Sequence, residues 1–68
     1  MNNTKLTITD REKDILRLIA KGLTSPQIAE MLSLSTETIK WYRKRLLSKL
    51  DAENTAEMIK ISIENNLI

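Results

Sequence analysis

TSPQIAEMLSLSTETIKWYRKRLLSKL, residues 24–50, contains two helix starts separated by a short break. Thr24 and Gln27 have the T-x-x-Q spacing of a capping box. Pro26 falls in the first turn, where its missing N–H costs nothing. The helix that follows is predicted from Ser25 to about Leu32, with Ile28, Ala29 and Leu32 facing inward. Ser33 and Leu34 form a tight break, and Ser35 is a good N-cap for the next and longest helix, Thr36 to about Leu50. Helix, turn of about three residues, helix is the helix-turn-helix unit, whose second helix enters a DNA major groove. Short helical pairs also build purely structural bundles, so spacing alone does not assign a ligand.

The flanks add one helix on each side. Upstream, Thr9 and Glu12 form another capping box, Asp10 adds a favourable charge to the first turn, and Ile8 can pack against the helix that it introduces. This first helix is predicted to run to about Lys21, with Ile15, Leu16, Ile19 and Ala20 as its apolar stripe. Gly22 follows where a left-handed residue is wanted. Met1–Lys5 is polar and unpatterned and is expected to be a loose tail or the end of a linker. Downstream, Asn54 caps a fourth helix from Thr55 to about Asn65, and Leu67 and Ile68 are expected to fold back as an apolar terminus. The expected fold is all-α: one domain over residues 6–68, a four-helix bundle containing the helix-turn-helix.

The composition agrees with one small domain of 68 residues. Charged residues make up 29% and aromatics 3%, a mixture that suits a helical bundle and argues against a β-sandwich. The chain has no Cys and no His, which excludes disulfides, zinc fingers, Cys nucleophiles and His acid–base chemistry. Zero Cys is compatible with a reducing cytosol. Uninterrupted apolar runs are no longer than Leu18–Ala20, so no segment is expected to span a bilayer, to act as a signal peptide or to use a membrane as partner.

The net charge of +2 conceals a segregation. Basic and acidic groups balance over residues 1–37. Residues 38–50 carry Lys40, Arg43, Lys44, Arg45 and Lys49 with no acid, and residues 51–68 hold Asp51, Glu53, Glu57 and Glu64 against Lys60 alone. Such a basic segment suggests a polyanionic partner. Projected at roughly 100° per residue, Ile39, Leu46 and Leu50 share one face of the third helix, with Tyr42 and Leu47 on its flanks. Trp41, Lys44 and Ser48 point the other way, with Lys40 and Arg45 on the shoulders. That outward face offers an indole among cations, and the helix start adds the hydroxyls of Ser35, Thr36 and Thr38. Cations neutralise phosphates or donate to guanine, hydroxyls bond phosphates or base edges, and an apolar group meets a thymine methyl. A solvated basic face with one surface Trp is the competing reading, and the outward Trp weighs against it because a surface Trp is uncommon. Trp41 could also anchor a protein partner.

These residues resemble the LuxR-type helix-turn-helix effector domain, also named after the NarL and FixJ response regulators, from Leu6 to Ile68 without a gap. The matching positions are Thr9-Asp10-Arg11-Glu12, Ile15-Leu16, Leu18 to Gly22, Ile28-Ala29, Leu32, Ser35, Thr38-Ile39-Lys40 and Lys49-Leu50. The resemblance implies a four-helix DNA-binding domain of bacterial transcription regulators, with the third helix as recognition helix and no cofactor or catalysis of its own. Such domains commonly sit behind a receiver or a ligand-sensing domain and dimerise through the fourth helix. It places Lys40, Trp41 and Lys44 where family members reach base edges, and Thr38, Arg45 and Lys49 where phosphate contacts are usual. Gln27, at the start of the second helix, lies near the backbone too. Ser35, Thr36, Tyr42 and Arg43 complete the expected backbone set. The chain departs from the family with Tyr42 in place of the usual His, Thr55 in place of the usual Arg, and a bulky Trp41.

Other chemistry finds little support. Glu12 and Glu37 each lie in a first helical turn, where capping and the helix dipole account for them. Ser25, Ser33, Ser35, Ser48 and Ser62 lack a His base, and Gly22 alone is no phosphate loop. Met31 and Met58 are expected as core or rim fillers. No enzyme activity, cofactor or small-molecule ligand is expected. The expected partner is the major groove of double-stranded DNA, reached in the bacterial cytoplasm at the nucleoid, with RNA polymerase as a further candidate. The competing class is a protein-interaction module, or a sigma-region-like domain acting on polymerase. In the fourth helix, Ala56, Ile59 and Ile63 are expected to face the core. That leaves Lys60, Ile61 and Glu64 outside as a weak two-fold dimer seam, each Lys60 near the partner's Glu64.

Overall fold

In a computed structural model the described residues are 7–68, and the expected tail over Met1–Lys5 lies outside them. Four helices follow in order: α1 (Asp10–Ala20), α2 (Ser25–Leu32), α3 (Thr36–Lys49) and α4 (Thr55–Glu64). Each start is the one its cap dictates. Thr9 and Thr24 form full capping boxes with Glu12 and Gln27, Ser35 Oγ accepts the Thr38 N–H at 3.0 Å, and Asn54 Oδ1 accepts the Glu57 N–H at 2.8 Å.

The four ends share one device. Gly22, Ser33, Asp51 and Asn66 all take left-handed backbone, with φ of 93°, 57°, 55° and 57°. After each, the next amide reaches back to the carbonyl five residues earlier, as in Leu34 N to Ala29 O at 2.9 Å and Ala52 N to Leu47 O at 2.8 Å. Gly22 adopts this conformation without a Cβ penalty. Ser33 sets the turn between α2 and α3 despite one, and Leu34 compensates by packing against the core.

The core is one cluster: Ile15, Leu16 and Ile19 of α1, Ile28 and Ala29 of α2, Ile39 and Leu46 of α3, Leu50, and Met58 of α4. Ile8, Leu67 and Ile68 pack against it, so the terminus folds back as its composition suggests. The face of α3 assigned to the core is the buried one, which commits the opposite face to solvent.

Four assignments to the core or its rim are corrected. Ala20 is exposed, and Leu18 packs against the core from its own side of α1. Met31 is exposed rather than a filler, at 62% of its surface. In α4 the buried positions are Met58 and Ser62, with Ile59 and Ile61 half-buried; Ala56 and Ile63 turn outward, Ile63 with 58% of its surface exposed. The physical reason is Ser62. Its hydroxyl donates to Met58 O at 2.8 Å, so a polar side chain sits satisfied in the interior. An apolar count along the helix prefers Ile63 to Ser62 and turns the helix to the wrong phase.

Candidate nucleic-acid interface

The outward face of α3 is built from the N-cap onward. Ser35 Oγ and Thr38 Oγ1 lie 2.8 Å apart at the helix start, with Thr36 half-buried beside them. Lys40 is exposed and pairs loosely with Glu37 at 4.0 Å, a surface contact worth little and easily given up. Lys44 is exposed and has no ion pair among the described residues. Trp41 stands between them with 54% of its surface exposed. The half-buried Tyr42 meets it edge-on, with ring centroids 5.0 Å apart and planes at 78°.

Two shallow hollows flank the indole. One, of about 370 Å³, is lined by Trp41, Lys44, Arg45, Ser48 and Lys49. The other, of about 470 Å³, is lined by Glu37, Lys40, Trp41 and Lys44. A third depression, where Lys40, Arg43 and Lys44 face Thr24 and Ser25, joins α3 to the start of α2. Gln27 sits at that start, but its Oε1 is spent accepting the Thr24 N–H at 2.8 Å, so its –NH2 is the donor left for a ligand.

The other basic residues of α3 are tied to the scaffold. Arg43 Nη2 donates to Thr55 Oγ1 at 3.3 Å, which links α3 to α4. Thr55, which stands where the resemblance leads one to expect Arg, is thus an acceptor for an Arg one helix away. Arg45 Nε donates to Glu12 Oε2 at 3.3 Å, and its guanidinium lies over the Trp41 ring, 5.3 Å from the centroid. Lys49 Nζ donates to Glu12 Oε1 at 2.9 Å and to Thr7 O at 3.0 Å. The three charges leave a net of one positive charge at this end of the helix.

Glu12 is the residue that sequence reasoning undervalued. Its side chain accepts the Thr9 N–H at 2.9 Å as the capping box requires, yet it is also buried, with 2% of its surface exposed, and it holds two cations of α3. Burial alone would raise its pKa. The Lys49 hydrogen bond, the Thr9 amide, the Lys49 charge and the Arg45 hydrogen bond outweigh that and hold it below the ordinary glutamate value.

In α4, Lys60 and Glu64 lie outward and pair within the chain at 4.0 Å, whereas Ile61 is half-buried against the core. The apolar residue outside is Ile63, so the outward strip of α4 is Ala56, Lys60, Ile63 and Glu64 rather than one centred on Ile61. Among the described residues no group of His, Cys, Asp or Glu has a metal-holding arrangement, and no helix is long and apolar enough to cross a membrane.

A helix-turn-helix whose second helix turns an aromatic and exposed cations to solvent has the form of a DNA-binding domain. Residues 6–62 match the family described as bacterial regulatory proteins, luxR family, and the chain belongs to it. It is 42% identical to the probable transcriptional regulator ycf29 of Cyanophora paradoxa over 67 residues, 98% of this chain and 32% of that protein. It is 38% identical over 60 residues to the virulence factors putative positive transcription regulator BvgA of Bordetella pertussis, 88% of this chain and 29% of that one. It is also 41% identical over 56 residues to the uncharacterized response regulatory protein YgeK of Escherichia coli, 82% of this chain and 38% of that one. The chain thus spans about a third of these relatives. The family is one of bacterial regulatory proteins, and two of these relatives are named as transcription regulators.

Proposed function

We propose that the domain binds double-stranded DNA sequence-specifically with α3 in the major groove, and that it serves as the effector unit of a response-regulator type of protein in the bacterial cytoplasm. The observation that carries this reading is the outward face of α3, where exposed Lys40, Trp41 and Lys44 stand opposite buried Ile39, Leu46 and Leu50. Lys40, Trp41 and Lys44 read base edges. Ser35, Thr36, Thr38, Tyr42 and Arg43 meet the backbone from α3, and Gln27 does so from α2. Arg45 and Lys49 offer the backbone the single net charge left after Glu12. Binding is non-catalytic and needs no cofactor.

Salt titration on mixed-sequence duplex tests it. The logarithm of affinity should fall linearly with the logarithm of salt, with a slope of about −0.9 for each phosphate neutralised. A flat line would turn the reading toward a protein-docking module.

Two copies are proposed to meet through α4. At roughly 100° per residue Ala56, Lys60, Ile63 and Glu64 share one outward strip, apolar at its centre and charged at its rim. Such a strip is far smaller than the roughly 1,200 Å² of a stable interface, so the free domain is monomeric and pairs on adjacent half-sites about 10 bp apart. Ile63→Glu is expected to abolish cooperative binding to paired half-sites while leaving single half-site affinity within about twofold, as read in gel-shift titrations of both DNAs. Cooperativity that survives the change places the seam elsewhere.

A further inference from the structure

Trp41 is an unusual side chain to leave on a solvent-facing helix, and the structure holds it there through a chain of contacts. Its ring is covered on one side by the Arg45 guanidinium, 5.3 Å from the centroid, and braced by Tyr42 at 5.0 Å. Arg45 is in turn held through Nε by the Glu12 carboxylate at 3.3 Å. Glu12 is buried and fixed by the Thr9 amide and by Lys49 at 2.9 Å. The indole is therefore a pre-set ridge between two hollows, which spares part of the ordering cost of binding.

Within a duplex the base faces are stacked on one another, so a side chain in the major groove meets only base edges. Those edges present oxygen, nitrogen and amino groups, with one apolar exception, the C5-methyl group of thymine. Cytosine methylated at C5 presents the same group. An apolar ridge between Lys40 and Lys44, each able to donate to guanine O6 and N7, fits a methylated pyrimidine beside guanine.

We propose that Trp41 reads the C5-methyl group of a pyrimidine, thymine or 5-methylcytosine, and that Arg45 and Glu12 are positioning residues that hold its indole against that methyl. The proposal rests on the DNA-binding reading given above.

The experiment starts from the site that the wild-type chain selects from a random duplex pool. Each thymine is then replaced in turn by deoxyuridine, which removes only the methyl. At one or more positions affinity should fall about three- to fivefold, the worth of one buried methyl. At the same position 5-methylcytosine should bind better than cytosine; equal binding of those two overturns the general methyl reading and leaves thymine alone as the ligand. Trp41→Ala should bring the thymine-to-uracil ratio to about one.

Arg45→Lys keeps the charge but not the planar group that stacks and forks. It should lower the same ratio, a readout in which any change in the backbone contact of Arg45 cancels, because the thymine and uracil sites share it. Glu12→Gln, confirmed folded by its thermal melt, should lower the ratio too, while the charge it removes from beside Arg45 and Lys49 raises affinity for the thymine and uracil sites alike. A wild-type ratio of one at every thymine, or a full ratio in Trp41→Ala, overturns the proposal. A full ratio in Arg45→Lys and Glu12→Gln removes the positioning role. A chain that binds no duplex in a salt-dependent way fails at the DNA-binding reading instead, a result that the salt titration on mixed-sequence duplex separates from loss of methyl discrimination.

Discussion

Glu12→Ala is expected to destabilise the domain by about 3 kcal/mol. Removing one member of a buried ion pair typically costs about 3–5 kcal/mol, because the remaining charge is left without a partner. Here Arg45 and Lys49 retain some access to water, which brings the figure toward the lower end, and loss of the reciprocal half of the α1 capping box adds to it. A domain of this length has a total stability of only about 3–10 kcal/mol, so the melting temperature should fall by about 10–25 °C. Glu12→Gln retains an acceptor for the Thr9 amide and should lose less. The pH dependence separates the charge from the cap. Because the folded carboxyl is held below its ordinary value, its contribution is complete above the ordinary glutamate range near pH ~4.3. As the pH drops through that range the unfolded chain takes up its proton first, and stability declines until the folded carboxyl also protonates. Thermal melts should therefore change little between neutrality and about pH 5.5 and fall steeply below about pH 5. The Gln variant should show a shallower acid limb. An equally steep limb in that variant would assign the acid loss to other carboxylates.

Why Glu12 escaped a full reading of the sequence shows what is local in this fold and what is not. A capping box spans three residues and is satisfied by backbone geometry alone, so all four helix starts were legible from Thr9, Thr24, Ser35 and Asn54. The same locality supplied a sufficient explanation for Glu12 and hid partners 33 and 37 residues away, Arg45 and Lys49. The helix ends followed as well, expected at about Lys21, Leu32, Leu50 and Asn65 and found at Ala20, Leu32, Lys49 and Glu64. The left-handed backbone that closes them was not read at Ser33, whose side chain carries little such preference, nor at Asp51 and Asn66, whose residue types favour it more weakly than Gly. The buried face of α3 followed from its period because Ile39, Leu46 and Leu50 are apolar and their opposites are not. In α4 the period failed at Ser62, where a hydroxyl is buried by bonding its own helix, and the outward apolar position moved with it from Ile61 to Ile63. The Arg45 stack on Trp41 was within reach, since residues four apart on a helix are neighbours. The link from that stack to α1 was not.

Lys40→Ala and Lys44→Ala are expected to cost about 1–3 kcal/mol each on the preferred site, roughly five- to 150-fold in affinity, and clearly less on random duplex. The difference arises because a base-edge donor left without its acceptor penalises only the site that offers that acceptor, whereas a phosphate contact serves every sequence alike. The structure makes these two lysines suitable for the first role. Both are exposed on the face turned from the core, on either side of the Trp41 ridge. Among the described residues neither carries structural duty, since the one ion pair that either makes, Lys40 with Glu37 at 4.0 Å, is a surface contact. Their removal should therefore leave the thermal melt within about 0.5 kcal/mol of wild type. Lys49 provides the contrast, because its ammonium is shared between Glu12 and Thr7 O. Lys49→Ala should lower stability and weaken all duplexes together, without changing the ratio between preferred and random DNA. Competition binding with the two DNAs at one fixed salt concentration, run beside a melt of each variant, gives both numbers. Equal losses on the two DNAs for Lys40→Ala and Lys44→Ala would move those lysines to the phosphate backbone and leave Trp41 as the base reader of α3.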